Sequence, residues 1–164
     1  MFFILPLALG LLIAGLHSFL RRDTLDKAGV LDLFLRYLLV FGWFLSGLVG
    51  FLGHAFAPEK VAAGIGWPAH AAFQFELAAF ELGIALSALI GLWVRHRLYW
   101  LGMALAPSVF FMLAAAQHLR ELLTRGNVSP YNVLAVMPDL LLPGLFLALL
   151  FWLMRLERKA GHQV

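Results

Sequence analysis

The sequence predicts an all-α, polytopic membrane bundle of five transmembrane helices, and three observations carry that expectation. Hydrophobic residues make up 63% of the chain and charged residues 13%, with a mean hydropathy of +0.91, so a soluble fold would have too few polar side chains to cover its surface. The apolar residues come in long runs, each near the roughly 20 residues that a helix needs to cross hydrocarbon. Lys and Arg collect at the ends of those runs, which is the pattern of membrane topology and not of a nucleic-acid surface, despite a formal net charge of +3. Five spans use most of the 164 residues, so residues 1–164 form a single domain. The chain has no cysteine, which excludes disulfides, thiolate metal sites and thiol redox chemistry.

The first span covers residues 2–20. No Lys or Arg precedes it and Arg21-Arg22 follow it, the reverse of the charge order in a cleavable signal peptide, so it is expected to stay attached. A polar stretch containing Asp23-Thr24-Leu25-Asp26-Lys27 leads through an interfacial turn to the second span, 33–56, whose start Arg36 and Tyr37 anchor. Pro58, Gly64, Gly66 and Trp67-Pro68 punctuate residues 57–71, predicting an interfacial loop with a short helical piece. The third span follows at 72–94. Arg95-His96-Arg97 is too short to cross anything, so the fourth span, 98–119, returns antiparallel as a helical hairpin. A turn-rich loop with Gly126-Asn127 and Ser129-Pro130 leads to the fifth span, 132–154, and a basic tail closes the chain.

Alternation of the spans places Arg21, Arg22, Lys27, Arg36, Arg95, Arg97, Arg155, Arg158 and Lys159 on one side and only Lys60, Arg120 and Arg125 on the other. The richer side is expected to be cytoplasmic, leaving the N-terminus outside and the C-terminus in the cytoplasm. A multi-pass protein of a bacterial inner membrane is the corresponding localisation, with the lipid bilayer as its first partner.

Function is sought where charge enters the apolar runs, because an intramembrane ionisable group needs a partner, a proton or water. Glu76 and Glu81 lie in the outer half of span three, Asp139 in that of span five, and His118 near the outer end of span four. Gln74, Asn132, Asn127, His54 and His70 share that leaflet, whereas the other half holds little beyond His17, Ser18, Ser46 and Ser87. The asymmetry predicts a polar pocket opening outward and closed below by apolar packing, lined by Gln74, Glu76, Glu81, His118, Asn132 and Asp139. Gln74 and Glu81, seven apart, share a helix face, while Glu76 and Glu81, five apart, diverge by about 140°. Two arrangements satisfy these acids. Glu76, Glu81, His118 and Asp139 form a ligand set suited to a divalent metal such as iron, manganese or zinc, although the usual Glu-x-x-His signature is absent. Alternatively, Arg120 pairs with Glu76 or Asp139. Phenylalanines such as Phe73, Phe75, Phe80, Phe110 and Phe111 are core or lipid-facing bulk, or walls for a flat ligand such as a quinone.

Small residues at three- and four-residue intervals in span two, Gly42, Ser46, Gly47, Gly50 and Gly53, mark a close helix contact, either internal or within a homo-oligomer or larger membrane complex. Pro107, Pro138 and Pro143 fall inside spans four and five, and Pro138 directly precedes Asp139.

Ile65-Gly66-Trp67-Pro68, Phe73-Gln74-Phe75-Glu76, Glu81-Leu82-Gly83 continuing to Gly91-Leu92-Trp93, Gly126-Asn127, Ser129-Pro130, Asn132, and Asp139 with Pro143 carry a family resemblance across about residues 50–145. Over that stretch the chain resembles the DoxX-like group of small bacterial membrane proteins, and more closely a sub-family of them of unknown function. The resemblance implies a bundle with four core spans, and the group includes subunits of sulfur-oxidising, quinone-linked enzymes. An acidic residue at Glu81 fits the broader group, and Gln74 and Glu76 fit the narrower one.

Three functions are therefore open: a pocket for a small ligand or cation, a membrane subunit of a quinone- or metal-linked oxidoreductase, and a path for protons or ions. No nucleophile-base-acid trio, phosphate loop or nucleotide motif occurs in the sequence, so it leaves open whether the protein is an enzyme.

Overall fold

A computed structural model describes residues 4–161. The described residues form helices α1 (Ile4–Leu20), α2 (Lys27–Tyr37), a π-helical segment (Leu38–Leu45), α3 (Ser46–Phe56), α4 (Pro58–Ile65), α5 (Ala71–Gly91), α6 (Arg97–Arg125) and α7 (Pro130–Lys159). Among the described residues, four stretches are long and apolar enough to cross a membrane: Lys27–Phe56, Ala71–Gly91, Arg97–Arg125 and Pro130–Lys159. The first expected span is α1, an apolar helix of 17 residues, about 25 Å long at 1.5 Å per residue; residues 2 and 3 lie outside the described residues.

Several boundaries differ from those read off the sequence. Span two begins earlier, because Asp26 caps the helix by accepting a hydrogen bond from Gly29 N at 2.8 Å. Its middle widens into the π segment Leu38–Leu45, which no residue in that uniformly apolar run announces. Helix α6 runs past the expected end of span four to Arg125, and Gly126 stops it at φ +65°. Both α6 and α7 continue through their internal prolines.

The glycines of span two serve contacts inside the chain. A Cβ at Gly42 would strike Leu142, and one at Gly47 would come within 2.8 Å of the Glu81 carbonyl oxygen. Helix α3 therefore packs on α5 with its backbone close, while α6 packs on α7. Helices α5 and α6 touch over a shorter stretch, which includes the Phe80–Phe110 ring pair at 4.9 Å.

The apolar core fills one half of the bundle with Leu35, Leu38, Leu39, Trp43, Trp100, Phe146, Leu150 and Leu153. That half ends in an ionic clasp. Arg97, at the start of α6, donates from Nη1 to Asp32 at 2.6 Å and from Nη2 to Glu157 at 2.7 Å, joining α2, α6 and α7. Arg36 also pairs with Asp32, and the Arg97 guanidinium lies 4.7 Å from the Trp100 ring centroid. The tight α5–α6 connection is closed by Trp100 Nε1 donating to Gly91 O at 2.8 Å and Tyr99 OH to Ser87 O at 2.9 Å. The buried polar side chains His54, Gln74, Glu81, His118, Glu121, Asn132 and Asp139 lie in the opposite half, toward α4.

Candidate functional site: a recess floored by carboxyl groups

Because α5 leans on α3 and α6 on α7, a recess of about 740 Å³ remains between the two pairs at the α4 end. Its volume falls within the roughly 300–1,000 Å³ of small-molecule sites. Phe73 and Leu77 of α5, Phe110 and Leu113 of α6 and Leu134 of α7 supply apolar wall, and Glu81, Asp139, His54, His118, Gln117 and Lys60 are among the polar residues.

Glu81 is 2% exposed, and it reaches this position because Gly50 on α3 has no side chain: a Cβ there would overlap the Glu81 carboxyl group. One helical turn further along α3, His54 Nε2 stands 3.9 Å from Glu81 Oε2. The other ring nitrogen, Nδ1, is hydrogen-bonded to Gln74 Oε1, so it donates and fixes the tautomer and ring orientation. Gln74 thus holds His54, and His54 faces Glu81. Glu81 Oε2 has no hydrogen-bond partner among the described residues. Asp139 lies across from it on α7, buried and also lining a second, water-sized cavity of about 20 Å³ with Trp43 and Ser46.

A second polar cluster closes the mouth. His118 Nδ1 donates to Asn132 Oδ1 at 2.9 Å, and the Asn132 amide donates back to His118 O at 3.1 Å and to Asn127 O at 2.8 Å. Asn127 in turn donates to Ile65 O at 2.9 Å, which ties α4 to the α6–α7 connection. Trp67 lies nearly parallel on the His118 ring, with centroids 5.4 Å apart. Helix α4 ends at Gly66, φ +80°, the left-handed geometry that turns Trp67 back over the recess.

The sequence-derived candidates therefore separate into three groups. Glu81, Asp139 and His118 line the recess. Gln74 and Asn132 are buried behind it, orienting His54 and His118. Glu76 and Arg120 are exposed and not part of the lining. Among the described residues the expected pairing of Arg120 with Glu76 or Asp139 is not formed; Arg125 pairs with Glu121 at this end, at 3.0 Å. Nor does the expected metal set of Glu76, Glu81, His118 and Asp139 converge. Among the described residues no three His, Asp or Glu side chains come together closely enough to hold an ion. Glu76 points away as its five-residue offset from Glu81 requires, and His118 is engaged with Asn132 at the mouth.

His54 and Trp67 are site residues that sequence reasoning left out of its candidate set. The available signal for His54 was its four-residue spacing from Gly50, which puts it on the face that α3 presses against α5. Trp67, read from the sequence as part of an interfacial loop, forms part of the roof.

The architecture is that of a membrane helical bundle with four stretches long and apolar enough to span among the described residues. By sequence, the chain belongs to a family of unknown function (DUF6790), whose family model matches residues 1–159. No curated protein and no solved structure matches the chain.

Proposed function

We propose that this protein binds a small ligand or cation in the recess, on the outer side of a bacterial inner membrane. The observation that carries the proposal is Glu81: a carboxyl group 2% exposed, with an oxygen lacking a hydrogen-bond partner among the described residues, facing a cavity large enough for a small molecule. Buried polar groups are almost always partnered, and an acid placed this deep in an apolar bundle marks a site of function. The outward orientation is supported by the nine Lys and Arg residues at the Arg97 end against three at the α4 end. The DoxX-like resemblance belongs to the same proposal: its Gly66-Trp67 and Asn127 motifs are the residues that build the roof.

The test is native mass spectrometry of protein extracted gently from membranes, comparing wild type with Glu81→Gln and Asp139→Asn. The proposal expects a bound species on the wild type that both isosteric variants lose while keeping their helical content. A wild type and variants carrying the same species, or none, would overturn it.

The second reading, a membrane subunit of a quinone-linked oxidoreductase, draws support from Phe110, Phe111 and Trp67 along the recess near His54 and Glu81, whose side chains stand 3.9 Å apart. Quinone in a solvent extract of the purified protein, or a redox-sensitive absorption band, is the result it requires. Proton or ion passage has least support, because below Asp139 and Ser46 the bundle is packed with Leu35, Leu38, Leu39 and Phe146.

A further inference from the structure

The recess has apolar walls, an acidic floor and a side open along the α5–α6 seam. Phe73 and Leu113 line it from either side of that seam, yet they remain 51% and 66% exposed. Phe80 packs on Phe110 beside them, and α5 and α6 touch each other far less than α5 touches α3 or α6 touches α7. At the α4 end the roof is held together by the Trp67–His118 stack and the Asn132 and Asn127 hydrogen bonds. The seam therefore faces the region that hydrocarbon occupies around a spanning bundle, and the roofed end faces the aqueous boundary.

At the floor, Glu81 and Asp139 present two carboxyl groups, and the residue nearest in role to a counter-ion, His54, spends its Nδ1 proton on Gln74. Arg120 and Arg125 are exposed outside the recess, and Lys60, the one Lys or Arg of the lining, is exposed on α4 at the mouth. A guest that complements this arrangement carries positive charge at one end and apolar surface over the rest.

We propose that the ligand is a hydrophobic amine, a protonated nitrogen on an apolar body, taken up sideways from the bilayer through the α5–α6 seam so that its ammonium meets Glu81 and Asp139. This deepens the ligand-binding reading of the same recess and rests on it. Partitioning into lipid concentrates such a molecule at the seam before it binds, and the ammonium supplies the donors that Glu81 Oε2 lacks.

The experiment uses the full chain in lipid nanodiscs and a dansylated long-chain alkylamine, with binding read as energy transfer from tryptophan to dansyl. The comparison probes are its N-acetylated, uncharged analogue and the corresponding carboxylate. Saturable binding of the amine at least tenfold tighter than either analogue is expected, with a loss of tenfold or more in Glu81→Gln and Asp139→Asn. The seam is tested separately with Leu113→Cys, an exposed position in a cysteine-free chain. With the unlabelled variant as the reference, a bulky maleimide attached after folding is expected to abolish binding of the long-chain amine while sparing that of a short water-soluble amine, scored by competition in detergent. Equal affinity for the amine and its acetylated analogue would overturn the cationic headgroup. Unchanged binding after labelling would overturn the lateral route. Failure of all three probes to bind saturably would overturn the hydrophobic amine as the ligand, whereas the recess as a ligand site stands or falls by the species found in native mass spectrometry.

Discussion

Gly50 and Glu81 are complementary across the α3–α5 contact: the hydrogen at Gly50 Cα stands where a methyl group would overlap the Glu81 carboxyl group. Three residues earlier, Gly47 meets the Glu81 backbone, its Cβ position lying 2.8 Å from the carbonyl oxygen and 3.2 Å from Ala85 N. The two glycines thus have different consequences when filled.

Gly50→Ala pushes against the far end of a flexible side chain, which swings aside. Folding stability is expected to change by less than about 1 kcal/mol, whereas Gly47→Ala, pressing on backbone, is expected to cost about 1–3 kcal/mol. Reversible unfolding in mixed micelles measures both. Gly50→Ala is expected to lose ligand binding despite its intact fold, since the carboxyl group leaves His54.

Asn132 is fully buried and serves three hydrogen bonds at once. Asn132→Leu matches its size but strands His118 Nδ1 and two carbonyl oxygens. A loss of about 2–3 kcal/mol is expected, on the scale of unsatisfied buried polar groups. Faster proteolysis within the exposed turn at 126–129 should accompany it, because Asn132 also holds Asn127.

Arg97 binds carboxylates from two other helices with its side chain 15% exposed. Arg97→Met leaves Asp32 and Glu157 half-buried without it and is expected to cost about 2–5 kcal/mol. Arg97→Lys should recover only part of this, because an ammonium cannot reproduce the fork that donates to both acids. Thermal unfolding of the three proteins in one detergent gives the ranking.

Gly66 adopts φ +80°, and a Cβ there would also crowd Asn127 Oδ1 at 2.7 Å. Gly66→Ala is expected to destabilise the protein by about 1–2 kcal/mol from the left-handed backbone alone. The Trp67–His118 stack should loosen with it, seen as a red shift and stronger quenching of the Trp67 emission in a variant keeping only that tryptophan.

Depth along each helix was legible in the sequence, while rotation about the helix axis was legible only in part. Turn residues and basic pairs mark where the apolar runs stop, which located the α5–α6 hairpin and the polar half of the bundle. The seven-residue spacing of Gln74 and Glu81 put both on one buried face, and the five-residue offset of Glu76 turned it outward. Which neighbour a face meets is another matter. In a span whose lipid-facing side is as apolar as its packed side, hydropathy does not distinguish the two, so the meeting of Glu81 with His54, 27 positions away on α3, had no local signature. The same holds for Arg97, which reads as one of three basic loop residues and instead ties three helices together. The π segment lay hidden because Leu38–Leu45 offers neither proline nor a polar side chain to betray a widened turn.

The ionic knot at Arg97 gives the molecule a fixed pivot. With three helices bound there by a guanidinium and two carboxylates, and the α5–α6 turn pinned by Trp100 and Tyr99, any parting of these two helices must swing about that point. Whatever widening the recess allows between α5 and α6 is therefore levered from the Arg97 end, roughly 20 Å away along helices rising 1.5 Å per residue.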